Sequence, residues 1–316
     1  MERATTGARA EAARFRRIFR QAHAGHPGCL ADEWLRQPCA DAQGRASARP
    51  VVWSRRNGPW QPHGVIFVGA APGNAGGKGA GRLGAHGTRI PFGGDIAGAN
   101  LDVLLGSVGL DRNRTFLTAA LNQLPAAGGG EPSAAEILAP VGDYPSSLHL
   151  LRDTIIACRP RLVVALGNVA LRALAAALQL ADDAPPGRIP TLSRILGAGI
   201  ARDQPLPWPA ALPLARHFAR SWQAAWHQPP RLHVLLITHP SAQNMSPHAR
   251  RDTLFHTRML DARAALQHAV TTVLGWPLPT VRPPPPSDGI YALPEWRDLI
   301  APRHALLDQL WRARDV

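Results

Sequence analysis

The sequence predicts an α/β fold, a three-layer αβα sandwich built on a four-stranded parallel sheet. Two observations predict it. Four short apolar runs rich in Val, Ile, Leu or Phe show no polar alternation, the pattern of strands buried on both faces. Stretches of helical period lie between them, and parallel strands require such crossovers. A chain of 316 residues is long enough to bury the core this fold needs.

In chain order, Ala8 to Arg20 (ARAEAARFRRIFR) is basic and amphipathic. It reads as a packing helix, with a transit peptide or a DNA-binding helix as the alternatives. The first strand is Val65 to Ala71 (VIFVGAA), followed by a helix over Ile96 to Val108 (IAGANLDVLLGSV). Thr115 to Leu121 (TFLTAAL) is the second strand, Leu148 to Ile156 a helix, and Arg161 to Leu166 (RLVVAL) the third strand. Gly167 turns the chain into a helix over Val169 to Leu180. Asp182 to Pro213 holds many prolines and little periodicity, and reads as a surface excursion. Leu232 to Thr238 (LHVLLIT) is the fourth strand. A last core helix follows, with Ser246 as cap, Pro247 at its first position, and Phe255, Met259, Ala262 and Leu266 along one face. Pro283 to Pro286 is a stiff spacer, and Glu295 to Arg314 a terminal helix that docks on the body or on a partner. The expected organisation is an N-terminal helical extension (1–60), a central domain (61–272), and a proline-rich linker with its helix (273–316).

Composition narrows the function. No run approaches 18 uninterrupted apolar residues, so no membrane span is expected. Basic residues number 35 against 22 acidic, a net charge of +13, and Lys78 is the single lysine. Fixed guanidinium charge in this excess favours a polyanionic partner, most simply nucleic acid. Three cysteines, Cys29, Cys39 and Cys158, make no disulfide framework, and no apolar signal-peptide segment stands at the N-terminus, so the expected compartment is the cytoplasm. His23, His26, Cys29 and Cys39 are of metal-ligand type and offer a zinc option; scattered polar residues in an N-terminal segment are the alternative. Cys158, beside a helix end, reads as a buried small side chain.

Gly73 to Gly94 is dense in glycine and starts where the first strand ends. Two familiar readings fail there. A P-loop needs Ser or Thr after Gly-Lys, but Gly77-Lys78 is followed by Gly79, and Pro72 takes the place of the leading glycine. Gly79 to Gly84 matches GxGxxG by letter, yet it begins well after the strand and Pro91 stands close behind it.

Three segments carry the chemistry: GAAPG (Gly69 to Gly73) after the first strand, PFGGD (Pro91 to Asp95) before the next helix, and HPSAQN (His239 to Asn244) after the fourth strand. Open α/β sheets bind ligands at the carboxyl ends of their strands, where these segments would converge. In this order and placement they resemble the uracil-DNA glycosylase superfamily, most closely its family 5 branch, with family 4 next. The resemblance spans about Val65 to Leu266 and includes RLVVALGNVALRAL.

What the resemblance implies is base excision. Cleaving an N-glycosidic bond leaves positive charge on the sugar and negative charge on the departing base, so a site needs an anion near one and donors near the other. Asp95 would be the anion, stabilising the cation and orienting water; as a residue ahead of Ile96 it also has the look of an N-cap. His239 would donate to the uracil O2, the alternative being a satisfied structural histidine. Ala70, Pro72 and Gly73 would line the base, with backbone amides around Gly69 to Gly73 as donors, and Phe92 would stack on it unless it is a core residue. The family's uracil-reading asparagine falls near Gly128, and Asn122, the nearby asparagine, would stand in for it. Ser241, Gln243 and Asn244 would meet the phosphate backbone and Met245 would wedge into the vacated stack. Arg250 and Arg251, placed near a helix start against the dipole, would bind phosphate or form a solvated face.

The sequence also departs from the family pattern. Families 4 and 5 hold an iron-sulfur cluster on four cysteines, but Gln123 and Pro140 occupy two of the aligned positions, so no cluster and no other obligatory cofactor is expected. Gly93 replaces a threonine, and Ala75 a histidine. The resulting expectation is a monomeric glycosylase that flips uracil or a related deaminated base from single- or double-stranded DNA. Its alternative is a catalytically inactive nucleic-acid-binding protein of the same fold. A nucleotide-binding enzyme is a third class, weakened by the failed glycine fingerprints.

Overall fold

The computed structural model describes residues 13–22 except 16 and 19, then 64–72, 92, 96–112, 115–123, 125, 131–178, 180, 189, 191, 232–241 and 252–281. Residues 298, 308, 311 and 312 are described singly, and side chains in the last core helix from 259 onward.

Four strands, β1 (Val65–Gly69), β2 (Phe116–Ala119), β3 (Leu162–Leu166) and β4 (His233–Ile237), form one sheet in the order β2-β1-β3-β4. Every pairing is parallel, with Phe67 opposite Leu117 on one side and Val164 on the other, and Val164 opposite Leu235. Strands alternate their side chains between two faces. Val65, Phe67, Leu162, Val164, Leu166, Leu235 and Ile237 enter one apolar cluster, while Ile66, Val68, Val163, Ala165 and Val234 enter the other. Both faces are therefore core, which is why the runs read as continuously apolar.

The first cluster is closed by α2 (Ile96–Ser107) and α6 (Asp252–Ala269), through Leu101, Leu104, Leu105, Met259, Ala262 and Leu266. The second is closed by α4 (Ser147–Cys158), α5 (Asn168–Ala177) and the described helical residues between 13 and 22, here α1. Phe15 and Ile18 of α1 are buried, and the Phe15 ring stacks on Phe116 with centroids 6.0 Å apart. The backbone amide of Asp143 donates to the Gln21 carbonyl (2.8 Å) and the Tyr144 hydroxyl to its side-chain oxygen (3.1 Å), so α1 is a packing helix. Burial, with the Asp153 carboxylate second, pushes the Tyr144 phenol well above its ordinary value and keeps it neutral.

Helix ends follow local rules. Ser133 and Glu136 make a reciprocal capping box that starts α3 (Ala134–Leu138), a helix too short to show a period in the sequence. Arg159 adopts the left-handed conformation (φ 50°) at the end of α4, and Pro160 prevents continuation. Cys158 is fully buried, in agreement with its reading as a small core side chain. Within the expected surface excursion Ile189 is buried against the second cluster, so that stretch returns to the core at least once.

After α6 a π-helical turn (Val270–Leu274) carries the chain back under the sheet. Its Leu274 carbonyl accepts from Arg161 (3.0 Å), and Trp276 and Leu278 pack against the first cluster. Core packing thus continues past residue 272. In the terminal stretch, residues 298, 308, 311 and 312 are helical; the start of the last core helix around Ser246 and Pro247 lies outside the described residues. No helix among the described residues is long and apolar enough to cross a membrane.

Candidate active site

The chain leaves β1 through α2 on one face to reach β2, then crosses back through α4 on the other face to β3. The crossovers diverge between β1 and β3, and the crevice beyond their carboxyl ends is where open α/β sheets bind ligands. There β1 runs out into Ala70, Ala71 and Pro72, all partly exposed, and β4, on the far side of β3, into His239, Pro240 and Ser241.

Two close approaches place the rings. Phe92 lies over the last residue of β1: a Cβ built on Gly69 would stand 3.0 Å from the ring Cε2 and closer still to Cζ. Only a residue without a side chain admits the ring there. His239 is seated against Gly167, where a Cβ would come within 3.1 Å of the His239 Cβ. Gly167 sits at φ 87°, ψ 174°, a region open essentially to glycine alone, and its amide donates to the Ile237 carbonyl (2.9 Å). The outcome is a ring pair at one edge of the sheet, Phe92 and His239, with centroids 6.3 Å apart and planes inclined at 41°. Both side chains remain partly exposed.

The supports of this edge were not visible in the sequence. Asn100, fully buried on α2, donates its amide to the Pro240 carbonyl at 3.0 Å and so ties the segment after β4 to the helix after β1. Arg112 holds the carbonyl of Phe92 (2.6 Å) and the carboxylate of Asp102 on α2 (2.9 Å). A polar residue among the buried positions of a helix, such as Asn100 between Ala99 and Leu101, is the sequence signal for the first of these.

Asn122 is engaged locally. It is buried; its oxygen accepts from the Thr118 hydroxyl (3.0 Å) and the Ala119 amide (3.3 Å), and its nitrogen donates to the Ala119 carbonyl (3.0 Å). The side chain closes the end of β2 upon itself. Of the other sequence-derived site residues, Ala70, Pro72, Phe92, His239 and Ser241 lie at the carboxyl end of the sheet. Gly73, Asp95, Gln243, Asn244, Met245, Arg250 and Arg251 lie outside the described residues, as do His23, His26, Cys29 and Cys39. Among the described residues no group of three or more His, Cys, Asp or Glu could hold a metal ion. Cys158, the one cysteine among the described residues, is buried in the core.

Replacing Gly69 by Ala is expected to expel the Phe92 ring while the strand backbone stays in place. If a base stacks on that ring, a contact worth about 1–3 kcal/mol, affinity for the base-bearing ligand should fall about tenfold. Melting temperature and a binding titration on the same preparation check this; unchanged affinity would mean that the ring is not where the base binds.

The structure thus shows a parallel α/β sheet with an aromatic ring and an imidazole together at its switch point. The sequence pattern of the Uracil DNA glycosylase superfamily matches residues 58–263, well over half of the chain, and the chain belongs to that superfamily. No curated protein matches it.

Proposed function

We propose that the chain is a DNA glycosylase that extrudes uracil or a related deaminated base from DNA and hydrolyses its N-glycosidic bond. The observation that carries the reading is the Phe92–His239 ring pair at the sheet's switch point in a member of this superfamily. The flipped base stacks on Phe92, and His239 donates toward O2 as negative charge builds on the departing ring. Backbone amides of Ala70, Ala71 and Gly73 add donors on the same side. Asp95, which directly precedes Ile96 in the sequence, supplies the anion that stabilises the oxocarbenium-like sugar and orients the attacking water. The water oxygen bonds to the anomeric carbon as the carbon–nitrogen bond breaks, leaving an abasic site and the free base. No step requires a metal or a cluster.

DNA contact falls to the segment after β4: Ser241, Gln243 and Asn244 at phosphates, Met245 in the vacated stack, and Arg250 and Arg251 at neighbouring phosphates. If both arginines neutralise phosphate, changing each to Ala reduces the slope of log affinity against log salt by about 1. A slope that stays at its original value would assign them to a solvated face. The protein acts as a monomer on single- or double-stranded DNA, in the cytoplasm.

Oligonucleotides carrying uracil, hypoxanthine or xanthine, incubated with the protein and then treated with alkali, test the function. Strand cleavage at the lesion is expected, with uracil the leading substrate. Salt-sensitive binding without cleavage of any of the three would instead identify a catalytically inactive DNA-binding protein.

A further inference from the structure

The Asp102–Arg112 pair is nearly out of solvent, with side chains 6% and 4% exposed. Buried ion pairs are poor stabilising devices, because the loss of hydration offsets much of the attraction. This one has a second engagement. The guanidinium Nε spans both carboxylate oxygens (2.9 and 3.2 Å), and Nη2 of the same group donates to the Phe92 carbonyl at 2.6 Å. That carbonyl belongs to a residue with φ 54°, a left-handed conformation that non-glycine residues seldom adopt. The same conformation lays the Phe92 ring across Gly69 and beside His239. Asp102 stands on α2, whose backbone is anchored in the core by fully buried Leu101, Leu104 and Leu105, so the guanidinium is held from a rigid element.

We propose that Arg112, oriented by Asp102, is a positioning residue that holds Phe92 in its left-handed conformation and so presents the ring as a stacking platform for the flipped base. This rests on the glycosylase reading for the identity of the base. The planar fork of arginine reaches a carboxylate and a carbonyl at once in fixed directions, which an ammonium group cannot reproduce. Without the clamp, Phe92 relaxes toward negative φ and its ring leaves Gly69.

The test uses the full chain with Arg112→Lys, Phe92→Ala and the two combined. The probe is a duplex holding 2′-fluoro-2′-deoxyuridine, which resists cleavage, with an undamaged duplex as reference. Arg112→Lys should weaken binding of the fluorouridine duplex by about five- to tenfold, leave the undamaged duplex unaffected, and add less than about twofold in the Phe92→Ala background. A purely structural role predicts the opposite: losses that multiply with Phe92→Ala and fall equally on both duplexes. If Arg112→Lys does not fold, Asp102→Asn combined with Arg112→Gln leaves no lone buried charge and takes its place; failure of both to fold overturns the proposal in favour of a structural role. A second readout is independent of activity. With 4-fluorophenylalanine incorporated, the fluorine resonance lost in Phe92→Leu should shift in the Arg112 variant while the others hold. An unmoved resonance overturns the clamp. A shifted resonance in a protein that neither binds nor cleaves uracil DNA would retain the clamp and refute the glycosylase reading.

Discussion

Replacing Asp95 by Asn should lower the single-turnover rate of uracil excision by at least about a hundredfold while leaving affinity for uracil-containing DNA within a few-fold of the original. The reasoning is electrostatic. Removing one preorganised group that meets transition-state charge typically costs about 10²–10³ in rate, and a full carboxylate facing a cationic sugar belongs at the upper end or beyond. The amide keeps the size of the side chain and its capacity to cap a helix, so the melting temperature should hardly change. That combination separates the two roles the residue can fill: a simple N-cap would show a small loss of stability and no change in rate. The measurement is a rapid-quench time course with enzyme in excess, run beside a thermal melt.

Phe67→Ala should be the most destabilising single change in the sheet. Phe67 is fully buried on β1, hydrogen-bonded between β2 and β3, and its ring fills the cluster under α2 and α6. Truncating a buried phenylalanine costs about 3–5 kcal/mol in lost transfer energy and residual cavity. For a domain of this size each 1 kcal/mol moves the melting temperature by about 2–4 °C, so a fall of about 6–20 °C is expected by calorimetry. A shift of only a degree or two would mean that the two helices collapse onto the space, and the site edge at Gly69, two residues along the same strand, would then move with them.

The sheet was legible in the sequence for a definite reason. All four strands run through the core, so each appears as an unbroken apolar run, and the structure trims these runs by only one or two residues at their ends. Helices α2, α4 and α5 were legible from their period. The five-residue α3 was too short to show one, and its signature was the Ser133–Glu136 pair. Strand order was not legible, because nothing local distinguishes β1 and β3 as the central pair.

At the site, the residues with a chemical handle could be read from their place at strand ends: Phe92 and His239 do meet. Their supports could not. The Asn100–Pro240 contact joins residues 140 apart in the chain, and the value of Arg112 depends on a carbonyl 20 residues before it. Asn122 shows the converse limit. Its residue type suits a base reader, but its amide is engaged by Thr118 and Ala119, four and three residues back, a local turn that residue type alone does not announce.

Whether a single base occupies the edge shared by the aromatic ring and the imidazole is best decided by a crystal structure of the Asp95→Asn variant bound to an oligonucleotide containing uracil. The uracil should be rotated out of the helix, its face on Phe92 and its O2 within hydrogen-bonding distance of the His239 ring. Uracil left stacked in the DNA, or lodged on another surface with Phe92 and His239 untouched, would contradict the glycosylase site proposed for this chain.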